Sequence, residues 1–266
     1  MLRKIATRAA PLMTGLMLAA GRSEAAGGLI LVDKPPAEGY TLSIGPGVAG
    51  YPESAGSSRT KVIPVPGVDF YSSLGAFVAT DTGIGWNFSR REDLQGGVRL
   101  WPVFGRNDAR SRRRGLPDVG TRLAEGAFLN YAPLSFMTLQ SGVLAGSGDR
   151  RDGVQVEGGA TVGAPIGDRL LAGVTLGATW ANGPHLRSYY GVTPRASAAG
   201  ALPVHSPGAG WLDVNAQLNG ELRIAERWKL SGQVVGARLV GDAAKSPVTE
   251  ARRQTSFSLT LWYRLK

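Results

Sequence analysis

Only two histidines occur in this 266-residue chain, His185 and His205, and each has a serine close by, Ser188 and Ser206. A serine beside an imidazole is the beginning of a nucleophile and general-base pair, and with an orienting acid or amide it would cleave an ester or amide. Both pairs fall in one glycine- and proline-rich stretch, 181–209, a weak support for groups that must be held rigidly. A second cluster, Arg106, Arg110, Arg112, Arg113 and Arg114, has the forked guanidinium groups that bind phosphates two-pronged, with Asp108 and Asp118 as partial partners. A third set, Asp213, Asn215, Gln217, Asn219, Glu221 and Arg223, recurs at every second position. The chain has no cysteine, which excludes a thiol nucleophile, a disulfide framework, an iron–sulfur cluster and a thiolate zinc site. Two histidines leave little for an imidazole-rich metal centre, and Ala145-Gly146-Ser147-Gly148 lacks the lysine of a phosphate-binding loop. No cofactor is implied.

Period two is also the rule in the segments that must position these residues. In 212–224, Leu212, Val214, Ala216, Leu218, Leu222 and Ile224 share one face, and the polar set from Asp213 to Arg223 takes the other. In 170–180, Leu170, Ala172, Val174, Leu176, Ala178 and Trp180 oppose Gly173, Thr175, Gly177 and Thr179. Residues 154–166 and 256–265 sort the same way. A helix would scatter these residues around its circumference, so the chain reads as all-β.

Short turns are expected at Ala132-Pro133-Leu134, Pro165-Ile166-Gly167-Asp168 and Ala225-Glu226, and longer loops at 105–119, 146–153, 181–209 and 241–253. From 105 onward long and short connections alternate strictly, as in an antiparallel up-and-down transmembrane β-barrel. Upstream strands near 40–49, 60–71, 74–80, 83–88 and 96–104 bring the count to twelve, with ten as the alternative. Pro64 and Pro66 cannot donate to a ladder and mark a fraying end or a bulge. Trp180, Tyr189, Tyr190, Trp211, Trp228, Trp262 and Tyr263 lie near strand ends, as interfacial aromatic girdles require. A secreted β-sandwich also alternates, and is the competing architecture.

Residues 1–25 read as a cleaved signal peptide, with Arg3, Lys4 and Arg8 before an apolar run from Ala9 to Ala20 and small residues at Ser23 and Ala25. That leaves 26–266 as one barrel domain in the cell outer membrane. In that setting the arginine loop would meet phosphorylated outer-leaflet lipid, and the polar row from Asp213 to Arg223 would line the lumen in an internal hydrogen-bond network. Tyr189, Tyr190 and Gly191 would anchor a loop on the rim, the glycine supplying a positive φ. The net charge of +10 does not point to nucleic acid, since export and the lack of a recognition module oppose it.

Five strings, in order along nearly the whole mature chain, carry a family resemblance. They are Val62-Ile63-Pro64-Val65-Pro66 leading to Asp69-Phe70-Tyr71, Gly83-Ile84-Gly85-Trp86, Arg112-Arg113-Arg114-Gly115-Leu116-Pro117-Asp118, Tyr189-Tyr190-Gly191-Val192-Thr193-Pro194, and Gly241-Asp242-Ala243-Ala244-Lys245-Ser246-Pro247. Together they resemble the MipA/OmpV family of outer-membrane proteins. Lys245 stands where that family usually has an acidic residue, Tyr190 where it has phenylalanine, and Lys266 where it tends to end in an aromatic. The resemblance implies a barrel without catalysis that scaffolds a murein lytic transglycosylase and a murein synthase, or meets surfaces outside the cell. A small solute channel is the alternative, and a lipid hydrolase built on His185 or His205 the third reading.

Overall fold

The computed structural model describes residues 35–105, 116–200 and 202–266. The expected signal peptide and the arginine cluster from Arg106 to Arg114 lie outside these residues. Twelve strands among the described residues close into one antiparallel barrel. They are β1 (Tyr40–Pro52), β2 (Thr60–Ser72), β3 (Ala76–Ala79), β4 (Gly83–Asn87), β5 (Leu94–Val103) and β6 (Arg122–Leu134), followed by β7 (Met137–Ser147), β8 (Gly153–Ile166), β9 (Leu170–Ala181), β10 (Gly210–Arg223), β11 (Trp228–Leu239) and β12 (Arg253–Arg264). Each pairs with its sequence neighbour, and β1 meets β12 from Ser43 opposite Arg264 to Gly50 opposite Phe257. The twelve-strand count expected from the sequence holds.

Burial decides between barrel and sandwich, because the apolar face of the alternation points outward. Leu176 is 62% exposed and Leu218 61%, while the inward Thr175 and Gln217 are 1% and 4% exposed. A sandwich in water buries its leucines, so only a lipid-facing wall accounts for this inversion. Gly45 marks the closure of that wall, since a Cβ there would lie 1.7 Å from the Leu261 carbonyl oxygen. Any larger residue would force β1 and β12 apart.

Three expectations change. Leu212 does not join the lipid face, because the β9–β10 register shifts between Trp211 and Asp213. That bulge turns Leu212 and Asp213 inward together, and both are fully buried. The first short turn sits at Ser135-Phe136, beyond Leu134, because the β6–β7 register slips between Tyr131 and Leu134 around Pro133. Of the expected girdle, Trp211 and Trp228 are exposed at opposite ends of the wall, whereas Tyr189, Tyr190 and Trp262 are buried inside.

The long connections are not plain loops. They hold α1 (Gly183–Tyr190), α2 (Pro194–Gly200) and α3 (Gly241–Lys245) at the long-loop end. Leu218→Arg on the lipid face is expected to destabilise the folded barrel by about 2–4 kcal/mol. Urea titration of the heat-modifiable gel band in lipid vesicles measures it.

A plugged lumen as the candidate functional site

Asn182, just after β9, starts the plug. Its side-chain oxygen accepts the His185 N–H at 3.0 Å as an N-cap and the Val154 N–H of β8 at 3.0 Å. One amide thus begins α1 and ties it to the wall. Pro184 fits the first turn, where no backbone donor is missed. The helix then lays Leu186, Tyr189 and Tyr190 into one apolar cluster with Trp101, Val103, Leu144, Leu212 and Leu239 from the wall. The bulge that inverts Leu212 therefore serves the plug.

Helix α3 and the segment after it lock onto α1. Ser246 Oγ donates to the Tyr190 carbonyl at 2.6 Å, and Thr249 Oγ1 to the Ala243 carbonyl at 2.7 Å. His205 Nε2 donates to the Asp242 carbonyl at 3.1 Å, and the Asp242 carboxylate accepts the Gly208 N–H. Tyr189 and Tyr190 are almost wholly buried, deeper than a rim anchor. Gly191 has φ −80° and ψ 149°, not the positive φ the sequence suggests. It is glycine because a Cβ would lie 2.4 Å from the Arg187 carbonyl oxygen.

His185 is fully buried. Its Nδ1 lies 2.8 Å from Ser147 Oγ, and its ring packs 4.7 Å from that of Tyr189. Burial pushes the imidazole pKa down to about 3. Ser188, the serine that sequence spacing offers, instead accepts the Asp149 N–H at 3.0 Å. The hydroxyl that His185 meets is 38 residues away at the end of β7, and Ser147 is itself fully buried. The pair works as a strut between plug and wall.

Beneath the plug, polar side chains link neighbouring strands along the inner wall. Arg99 Nη2 of β5 meets Glu157 Oε1 of β8 at 2.8 Å, the two side chains reaching along the inner wall over Gly126 of β6 and Gly142 of β7, with the guanidinium 5.7 Å from the Trp101 ring. Gln140 donates to Thr161 at 2.8 Å, Thr161 and Thr175 hydroxyls lie 2.7 Å apart, and Asn219 donates to Thr175 at 3.2 Å. Asn215 donates to Asp213 at 2.9 Å, and Gln217 to Asn219. The alternate row of β10 thus runs down the interior. Glu221 pairs with Lys229 at 3.1 Å lower down, and Arg223 is exposed at the end of the strand.

Gln140, Thr161, Thr175, Gln217, Asn219 and Glu221 border a cavity of about 430 Å³ that runs from near the short turns up to Val65 and Trp101. Sequence reasoning found one wall of it, the β10 row. It missed Arg99, Glu157 and Gln140, whose own strands alternate but whose partners lie on other strands. No group of three or more histidine and carboxylate side chains suited to a metal occurs among the described residues.

Removing one end of the lumen ion pair leaves a buried charge, so Arg99→Ala is expected to cost about 3–5 kcal/mol. Arg99→Met combined with Glu157→Gln should recover most of that loss in the same urea titration. For His185 the sign follows from its lowered pKa, since the unfolded chain takes up a proton below about 6.5 while the folded one does not. Stability is thus fully present above pH 6.5 and falls as the pH drops toward 3. The midpoint of heat-modifiability should fall between pH 7.5 and 5, and His185→Gln should flatten that dependence.

Solved structures that the barrel is similar to are membrane β-barrels. They include the outer membrane channel DcaP of Acinetobacter baumannii, at 10% identity over 88% of this chain and 100% of that one, with a TM-score of 0.38. The NanC porin is 8% identical over 84% of this chain and 100% of its own, with a TM-score of 0.43. A bacterial polysaccharide outer membrane secretin is 9% identical over 87% and 100%, with a TM-score of 0.47. No curated protein sequence matches the chain. A family model described as MltA-interacting protein MipA matches residues 44–265, from β1 through the last strand. With its transmembrane barrel and buried loop plug, the chain belongs to the family of the MltA-interacting protein MipA.

Proposed function

We propose that the protein is a non-enzymatic outer-membrane barrel that serves as an envelope scaffold rather than a conduit. The observation that carries this reading is the plug, in which α1 and α3 close the long-loop end through a buried apolar cluster and the Ser246–Tyr190 hydrogen bond. A barrel closed at one end offers its surfaces, not its bore. By the usual asymmetry of such barrels the short turns face the periplasm, where murein is remodelled. The family's name supports a murein lytic transglycosylase as the partner docked there, and a murein synthase would be the second enzyme so gathered.

On the outer side the plug lets the long loops act as a fixed platform. Tyr189, Tyr190 and Gly191 anchor it, and Arg106, Arg110, Arg112, Arg113 and Arg114 would give it contact with the phosphates of outer-leaflet lipid. The N-terminal signal peptide would deliver the chain to the envelope. Asp213, Asn215, Gln217, Asn219 and Glu221 line the interior as a packing network in this reading, with Arg223 at its lower rim. A small solute channel remains the second reading, favoured by the cavity of about 430 Å³ beneath the plug.

Single-channel recording in planar bilayers separates the two. The scaffold predicts no conductance steps from the intact protein, and regular ion-permeable steps would favour the channel. Affinity capture from detergent-solubilised envelopes should then retain a murein lytic transglycosylase on the intact barrel. Replacing the β6–β7 and β10–β11 turns should release it.

A further inference from the structure

Among the described residues the barrel wall is not continuous at the long-loop end. Strand β2 pairs with β1 from Thr60 to Ser72, but with β3 only at Asp69, Phe70 and Tyr71. Strand β5 pairs with β6 along its whole length, but with β4 only from Gly97 to Leu100. The β3–β4 hairpin ends at Thr80-Asp81-Thr82, so among the described residues no strand stands between Thr60–Gly67 of β2 and Trp101–Val103 of β5.

An open strand edge within a bilayer leaves N–H groups without partners, at several kcal/mol each. Here three of the five gap-facing positions are prolines and carry no N–H, while Thr60 and Val62 of β2 keep theirs. On β2 the even positions address the β3 side, for the Val68 N–H donates to Thr80 Oγ1 at 2.8 Å and the Pro66 carbonyl accepts from that hydroxyl at 3.0 Å. On β5 the even positions address the β4 side, for the Gly96 N–H donates to Asn87 Oδ1 and its carbonyl accepts the Phe88 N–H at 2.8 Å. Pro64 and Pro66 on one edge and Pro102 on the other share those parities. Three prolines thus stand where the wall would otherwise need donors facing the missing strand. The gap is part of the design of the sheet, not a fraying end.

The cavity reaches this gap. Val65, Thr80, Asp81 and Trp101 frame the gap and also line the cavity, which continues to Phe136 and Leu171 near the short turns. Its lining includes the carboxylates Asp81 and Glu221, the latter paired with Lys229 just outside it, and itself holds no lysine, arginine or histidine, although the whole chain carries a net charge of +10. Gln140 and Gln217 also line it, each more than nine-tenths buried. Their side-chain carbonyl oxygens meet no donor among the described residues. Such oxygens accept hydrogen bonds, and the surrounding Val65, Trp101 and Trp262 accommodate an apolar stem.

We propose that the gap between β2 and β5 is a lateral window through which an uncharged single-chain amphiphile with a hydroxyl head passes from the membrane into the lumen, where Gln140 and Gln217 receive the head. The cavity's size falls within the ~300–1,000 Å³ of small-molecule sites. This goes beyond the scaffold reading and does not depend on it, since capture of a murein enzyme tests neither the window nor the cavity.

The chain contains no cysteine, so a single introduced one can be labelled alone. Nitroxides are placed by Asp81→Cys at the window, Val174→Cys on the lipid face and Ser231→Cys in the lumen, in vesicles. Oxygen dissolved in the acyl chains should relax the label at 174, a water-borne nickel chelate the label at 231, and both the label at 81. A label at 81 that senses only one of the two reagents overturns the window. In the second arm, 12-bromododecan-1-ol should quench tryptophan fluorescence saturably in the native protein. Gln140→Leu with Gln217→Leu should weaken that binding about tenfold while the heat-modifiable band persists. The corresponding bromododecanoate should bind more weakly than the alcohol, because the lining itself holds the Asp81 carboxylate and no cation, Lys229 being engaged with Glu221. Quenching that never saturates, or is unchanged in the double variant, overturns the site.

Discussion

Everything in this molecule depends on a single requirement, that each backbone N–H and C=O inside a bilayer finds a partner in the protein. Twelve antiparallel strands meet it by closing on themselves, and the outward leucines and valines then cost nothing in lipid. The requirement also explains the exceptions. Where the wall lacks a strand, proline replaces the residue whose donor would be stranded, as at Pro64, Pro66 and Pro102. Where β1 and β12 come closest, Gly45 keeps any side chain out of the seam.

Closure creates an interior that must be filled. The chain uses two different materials. The long-loop half is packed as a small globular core, with Leu186, Tyr189 and Tyr190 of α1 against Trp101, Leu212 and Leu239 of the wall. The short-turn half is polar, linked by Thr161, Thr175 and Asn219 and bordered by the Arg99–Glu157 pair that runs along the wall. Apolar packing suits the plug because it needs no partner for each atom.

The sequence made the wall legible and the interior only partly so. Alternation from Leu170 to Trp180 and from Val214 to Arg223 is a local property, and it survives any arrangement of neighbours. The bulge at Trp211–Asp213 broke that rule, because the plug needs Leu212 inside and nothing local announces it. His185 could be seen, but not its partner, since the Ser147 hydroxyl comes from 38 residues away. Arg99 and Glu157 are ordinary charges in sequence, and only curvature of the sheet makes them partners. The expected positive φ at Gly191 was wrong for a related reason: the constraint there is crowding by the Arg187 carbonyl, which appears only once α1 is formed.

The β1–β12 seam has a consequence for how the barrel is born. Eleven of the twelve strand pairings join segments adjacent along the chain, so each can form as a hairpin beside the last. The pairing of β1 with β12 alone must wait for both ends, and its ladder is interrupted at Gly45 and Pro46. The last edge to join is thus also a sparsely bonded one. Until it joins, an assembling sheet carries two free borders that any complementary strand could occupy. The seam is where the newborn barrel is open to a helper, and also where it is open to error.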